Sequence, residues 1–134
     1  MNPENREQAI LECLKSNYGL VGTLTRLSGE NLNYLISGER GPSHVVKIVD
    51  DDMPPEVVEM ENEALNYAVS AGFSYRLPKI MKNSRGNIET GIIERINSPH
   101  RLRVIDLIEG EELHKSSDIS RKMLKNVGKM IAEL

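Results

Sequence analysis

Ala9, Ile10, Cys13 and Leu14 recur at helical spacing, so the chain opens with a helix from about Glu4 to Asn17, and Gly19 supplies its stop. Beyond Gly19 the period changes to strand-forming runs. Thr23-Leu24-Thr25-Arg26-Leu27 and Asn33-Tyr34-Leu35-Ile36-Ser37 predict two strands around the polar segment Ser28-Gly29-Glu30-Asn31-Leu32. Gly38-Glu39-Arg40-Gly41-Pro42 turns the chain into a third, Val45-Val46-Lys47-Ile48-Val49, with Val45, Lys47 and Val49 on one face and Val46 and Ile48 on the other. After Asp50-Asp51-Asp52, Pro54-Pro55 starts a second helix, where a missing N–H costs little, and Gly72 ends it. Leu77 to Met81, Ile88 to Ile96 and Arg101 to Leu107 read as strands separated by turns at Asn83-Ser84-Arg85-Gly86-Asn87 and Asn97-Ser98-Pro99-His100, with a break at Gly110. Ser116 and Ser117 are placed to cap a last helix carrying an apolar stripe of Ile119, Met123, Val127, Met130, Ile131 and Leu134. The expected fold is α+β: a twisted antiparallel sheet of five or six strands, one helix packed on a face, and a helix at each end.

Two charged residues interrupt this pattern. Lys47 lies among valines, and fourteen residues later Glu61 falls within the second helix. At 100° per residue Val57, Val58, Ala64, Leu65, Ala68 and Val69 lie within roughly 80° of one direction, and Glu61 points along it while Glu59 and Glu63 do not. A buried lysine needs a counter-charge and an inward glutamate has the converse need, so the expectation is a Lys47–Glu61 ion pair. Taken singly, each residue reads as well as a solvated strand lysine or a stray surface glutamate.

Length and charge narrow the setting. The chain of 134 residues fits one domain. A net charge of −3 with scattered Lys and Arg gives no basic field for nucleic acid. Cys13 is the single cysteine, on the apolar side of the first helix, which suits packing in a reduced compartment. No apolar stretch reaches membrane-spanning length and the N-terminus has no signal-like run, so the expectation is a soluble cytoplasmic protein without a membrane partner.

The order of elements carries the chemistry. A hairpin with a small polar loop can close backbone N–H groups over phosphates, a strand lysine can neutralise them, and a helix glutamate can hold that lysine. Ser28-Gly29-Glu30-Asn31 lacks the glycines of G-x-G-x-x-G, so alone it also reads as a plain hairpin loop. Taken with Tyr18-Gly19-Leu20, Leu27 to Tyr34, Val45-Val46-Lys47-Ile48, Glu61-Asn62-Glu63-Ala64-Leu65 and Arg103-Val104-Ile105-Asp106-Leu107-Ile108-Glu109-Gly110, the chain resembles the N-terminal lobe of the aminoglycoside phosphotransferase and choline kinase family. Within that family it looks most like the hydroxylysine kinase-like branch. The resemblance implies that residues 1–134 form a nucleotide-binding lobe. Ser28, Asn31 and Asn33 would border the phosphates, Lys47 would bind the α- and β-phosphates, and Glu61 would anchor Lys47. Asp106 C=O and Ile108 N–H would bracket the adenine edge, Ile105 would guard the back of the pocket, and Leu27, Leu35 and Val45 would form its apolar lid. Asn83 to His100 makes a longer hairpin than the family usually has.

The same resemblance implies a second lobe with an H-G-D type loop and a later Asp for Mg²⁺, and neither occurs here. His44, His100 and His114 begin no H-x-D, and no residues have metal-ligand spacing, so no catalytic or metal residue is assigned within the chain. The expectation is therefore an N-terminal lobe whose parent uses ATP or GTP with Mg²⁺ to phosphorylate a hydroxyl of a small amine or amino acid. Hydroxylysine is the implied acceptor, with homoserine, choline and aminoglycosides behind it. The rival expectation is a binding or regulatory module that kept the fold and lost catalysis. The stripe on the last helix, unpartnered in a lone lobe, predicts a homodimer.

Overall fold

In the computed structural model, residues 3–29, 32–49, 53–88, 90–91, 101–110 and 119–133 are described. Helix α1 (Pro3–Tyr18) buries Ala9, Ile10, Cys13 and Leu14, the four residues whose spacing defines its apolar face. Gly19 ends it in the left-handed region at φ 67°, and Leu20 N–H bonds back to Leu14 C=O at 3.2 Å. Strands β1 (Thr23–Arg26), β2 (Asn33–Gly38), β3 (Gly41–Val49), β4 (Ile80–Met81), β5 (Thr90–Gly91) and β6 (Arg101–Asp106) form one antiparallel sheet in the order β1-β2-β3-β6-β4, with β5 also on β6. The expected fold class is therefore observed.

Alternation sorts the side chains into two faces. On one, Tyr34, Ile36, Val46, Ile48, Leu102 and Val104 pack with Ile10, Cys13, Leu14 and Tyr18 of α1 as the hydrophobic core. The opposite face carries Leu35, Val45, Lys47, Arg103 and Ile105. Gly22, leading into β1, is fixed by close approach: a Cβ there would lie 2.1 Å from the Ser37 carbonyl oxygen, beside the irregularity in the β2–β3 register. Asn83 anchors the next turn. Its buried Oδ1 accepts Arg85 N–H and Asn87 N–H at 3.0 Å each, and Ser84 N–H ties the turn to Asn17 C=O at the end of α1.

Several boundaries differ from expectation. The segment Leu77–Lys79 is irregular, and only Ile80–Met81 joins the sheet as β4, because Pro78 has no N–H and the Lys79 N–H is taken by a side chain. Of the expected strand Ile88 to Ile96, Ile88 lies in a bend and Thr90–Gly91 form β5, and the turn Asn97 to His100 lies outside the described residues. Helix α2 (Pro55–Ser70) starts at the predicted proline pair, and Gly72 closes it at φ 78°. Helix α3 (Arg121–Glu133) starts later than expected and is capped by Ser120, whose Oγ accepts Met123 N–H at 3.1 Å. Ser116, Ser117 and Leu134 lie outside the described residues. Met123, Val127 and Met130 are half-buried, while Ile119 and Ile131 are exposed. Glu133 Oε1 accepts both Ser74 N–H, at 2.7 Å, and the Ser74 hydroxyl, which ties α3 to the segment after α2. Among the described residues no helix is long and apolar enough to cross a membrane.

Candidate functional site

Strand register brings the sequence-predicted residues into rows on the face opposite α1. Asn33, Lys47 and Arg103 lie side by side on β2, β3 and β6, and Leu35, Val45, Ile105 and Ile80 form the next row. Lys47 and Arg103 are thus like charges directly opposite, an arrangement that costs energy unless an anion intervenes. Glu61 supplies one on the Arg103 side alone, not where the helix count placed it.

The expected Lys47–Glu61 pair is not formed. Glu61 Oε2 instead accepts from Arg103 Nη2 at 2.7 Å, and Arg103 Nη1 donates to Asn62 Oδ1. Among the described residues no carboxylate lies within salt-bridge distance of Lys47. The cause is a rotation of α2 by about one residue, so that Val58 and Asn62 point inward and Glu61 sits at the rim with 44% of its side chain exposed. Arginine also wins on geometry, since its planar fork reaches two consecutive helix residues where a lysine ammonium offers a single point charge. The Arg103 side chain is only 12% exposed, and its Nε has no partner. The two Nη contacts therefore hold its charge.

The phosphate-loop candidates lie at one end of this row. Leu27 N–H bonds Asn33 C=O at 2.9 Å, closing the hairpin around the loop, and Ile48 N–H bonds Leu32 C=O at 3.0 Å. Ser28 is exposed and Gly29 has φ 135°, while Asn31 lies outside the described residues. At the other end, Asp106 closes β6. Its N–H bonds Lys79 C=O at 3.0 Å, its carboxylate accepts Lys79 N–H and faces Arg76 at 3.7 Å, and Leu107 N–H bonds Ser43 C=O at 3.3 Å. Ile108, two residues on, is exposed. Among the described residues no three His, Cys, Asp or Glu side chains are grouped to hold a metal ion.

Two solved structures share this arrangement of elements. The microcompartment-associated aminopropanol kinase matches with a TM-score of 0.70 and 18% identity, over 94% of this chain and 38% of its own. Amicoumacin kinase hAmiN, in complex with AMP-PNP, Ca²⁺ and Ami, matches with a TM-score of 0.64 and 22% identity, over 84% of this chain and 35% of its own. The fold is that found in these small-molecule kinases. No family model and no curated protein matches the sequence, and the chain spans little more than a third of either kinase.

Within this kinase-like fold the site contains two residues that helix counting and motif order overlooked. Arg103 shares the alternation of Arg101 and Ile105, so its position on the Lys47 face is visible in the sequence. Asn62 lies four residues after Val58 and three before Leu65, a spacing that already marks it as inward. Among the described residues the His44 side chain makes one polar contact, 2.9 Å between Nδ1 and Ser43 Oγ. Burial pushes the Cys13 thiol up from its ordinary value, against a smaller opposing effect of the Asn17 side chain, in keeping with a packing role.

Proposed function

We propose that the chain is the nucleotide-binding lobe of a kinase that transfers the γ-phosphoryl group of ATP to a hydroxyl of a small amine or amino acid. The observation that carries this reading is the Lys47 ammonium, half-buried beside Asn33 and without a carboxylate among the described residues, because Arg103 has taken Glu61. One positive charge of the row is thereby left for phosphate oxygens. In this reading Ser28, Asn31 and Asn33 border the phosphates and Lys47 binds them. Leu27, Leu35 and Val45 cover the base, Ile105 limits the back of its pocket, and Asp106 C=O and Ile108 N–H meet its edge. Glu61 acts one step removed, through Arg103. Among the described residues no group of carboxylates or histidines fits a Mg²⁺ site, and in this reading the metal ligands and the group that positions the acceptor are supplied by a second lobe.

An amino alcohol is the acceptor named for one structural neighbour, which supports an acceptor bearing both an amine and a hydroxyl, hydroxylysine among them. The exposed Ile131 and Leu124 of α3 support pairing of two copies of the isolated lobe, tested by sedimentation at high micromolar concentration. The functional reading is tested with the protein carrying both lobes, assayed with ATP against hydroxylysine, aminopropanol and an aminoglycoside. Phosphorylation of at least one, lost in Lys47→Ala, is expected. Undiminished turnover in Lys47→Ala overturns the site, and transfer to glycerol, run alongside as an amine-free acceptor, with none to the three amines overturns the acceptor class.

A further inference from the structure

The end of β6 departs from ladder geometry in a way that bears on base selection. Register carries Ile80 opposite Ile105, which sets Lys79 opposite Asp106. A hydrogen-bonded antiparallel pair exchanges two N–H···O=C bonds. Here one is made, from Asp106 N–H to Lys79 C=O at 3.0 Å. The other is replaced: Lys79 N–H donates to the Asp106 carboxylate, and among the described residues no backbone N–H outside the regular strand pairing is assigned to the Asp106 main-chain carbonyl. The remaining carboxylate oxygen faces Arg76 Nη2 at 3.7 Å, which holds the side chain over the segment before β4.

We propose that the Asp106 carboxylate is a positioning group that sets base specificity. By occupying Lys79 N–H it keeps the Asp106 main-chain carbonyl available to accept a hydrogen bond from the 6-amino group of adenine. A 6-oxo purine presents an acceptor to that carbonyl and is disfavoured, so the site takes ATP over GTP. Removing the carboxylate leaves Lys79 N–H without a partner, and the acceptor that the strand register sets opposite it is the same main-chain carbonyl, which would close the ladder and withdraw it from the base. This inference rests on the reading above that Asp106 meets the adenine edge.

Its test uses the 134-residue chain in solution by NMR, which reads millimolar binding. Through-hydrogen-bond coupling should connect Lys79 ¹⁵N with the Asp106 side-chain carboxyl carbon, and in Asp106→Ala with the main-chain carbonyl carbon at that position. The unsubstituted chain should bind ATP about three- to tenfold more tightly than purine riboside triphosphate, which lacks the amino group, this being the worth of one net hydrogen bond. Asp106→Asn, whose amide oxygen can still accept Lys79 N–H, should keep that ratio, and Asp106→Ala should bring it to about one. Coupling of Lys79 to the main-chain carbonyl in the unsubstituted chain overturns the inference, as does an Asp106→Ala chain that still discriminates, and the latter leaves the adenine reading intact. Equal binding of both nucleotides by the unsubstituted chain, with coupling to the carboxyl carbon, removes the adenine reading and the inference with it.

Discussion

On one face of the sheet α1 buries Ile10 and Leu14 completely against Val46, Leu102 and Val104; on the other, α2 buries only Val58 and Asn62 and reaches the sheet through Arg103. The first contact is aliphatic, and each fully buried side chain there stabilises the fold by roughly 1.5–3 kcal/mol. The second rests on a partly exposed ion pair, a kind of contact worth about 1 kcal/mol or less and weakened by salt. Stability and ligand chemistry are thus separated by the thickness of one sheet. The weakly held helix is the one on the Lys47 face, so under the proposed function it is free to shift on phosphate binding without loosening the core.

The contrast can be broken most severely at the core. Leu14→Ala should lower the unfolding free energy by about 2–5 kcal/mol in urea titrations, whereas Leu65→Ala on half-buried α2 should cost markedly less. Equal losses would mean that α2 is as firmly seated as α1. Next in size is Lys47→Ala, which should weaken ATP binding by about tenfold or more through loss of a charged hydrogen bond, while leaving the urea midpoint nearly unchanged. A large fall in stability would show Lys47 to be a structural residue. Smaller again is the coupling across the ion pair. A double-mutant cycle between Arg103→Met and Glu61→Gln should give an interaction of about 0.5–1 kcal/mol, and the corresponding cycle between Lys47→Met and Glu61→Gln about zero. The reverse ranking would restore the pairing expected from the helix count.

The smallest effect concerns Cys13. Its raised thiol pKa means that the folded chain holds the proton more tightly than the unfolded one. The resulting stabilisation is present in full below the unfolded thiol's pKa, about 8.5, and is lost as pH climbs toward the raised folded value. Stability should therefore fall over that alkaline range, and the fall should be shallower in Cys13→Ala. A slope identical in both chains would contradict a buried thiol.

Much of this was legible in the sequence wherever a single period decided the outcome. The spacing of Ala9, Ile10, Cys13 and Leu14 defined α1, and the alternation of Val45 to Val49 assigned Lys47 to the face opposite Val46. The rotation of α2 was only half legible: the spacing from Val58 to Leu65 allows Asn62 inward, but its apolar residues are spread over a wide arc that admits Glu61 as well, and the partner decides between them. That partner, Arg103, lies on a strand more than forty residues later. The shortened β4 was equally hidden, since the bond that ends it joins the Lys79 N–H to a side chain at Asp106.

Nucleotide binding on the face bearing Lys47 is read out by titrating ATP into the ¹⁵N-labelled chain and mapping amide shifts residue by residue. Saturable shifts are expected at Ser28, Asn33, Lys47, Ile105, Asp106 and Ile108, with Ile10, Cys13 and Leu14 in α1 unmoved. Shifts confined to α1, or none at millimolar ATP, would contradict binding on that face.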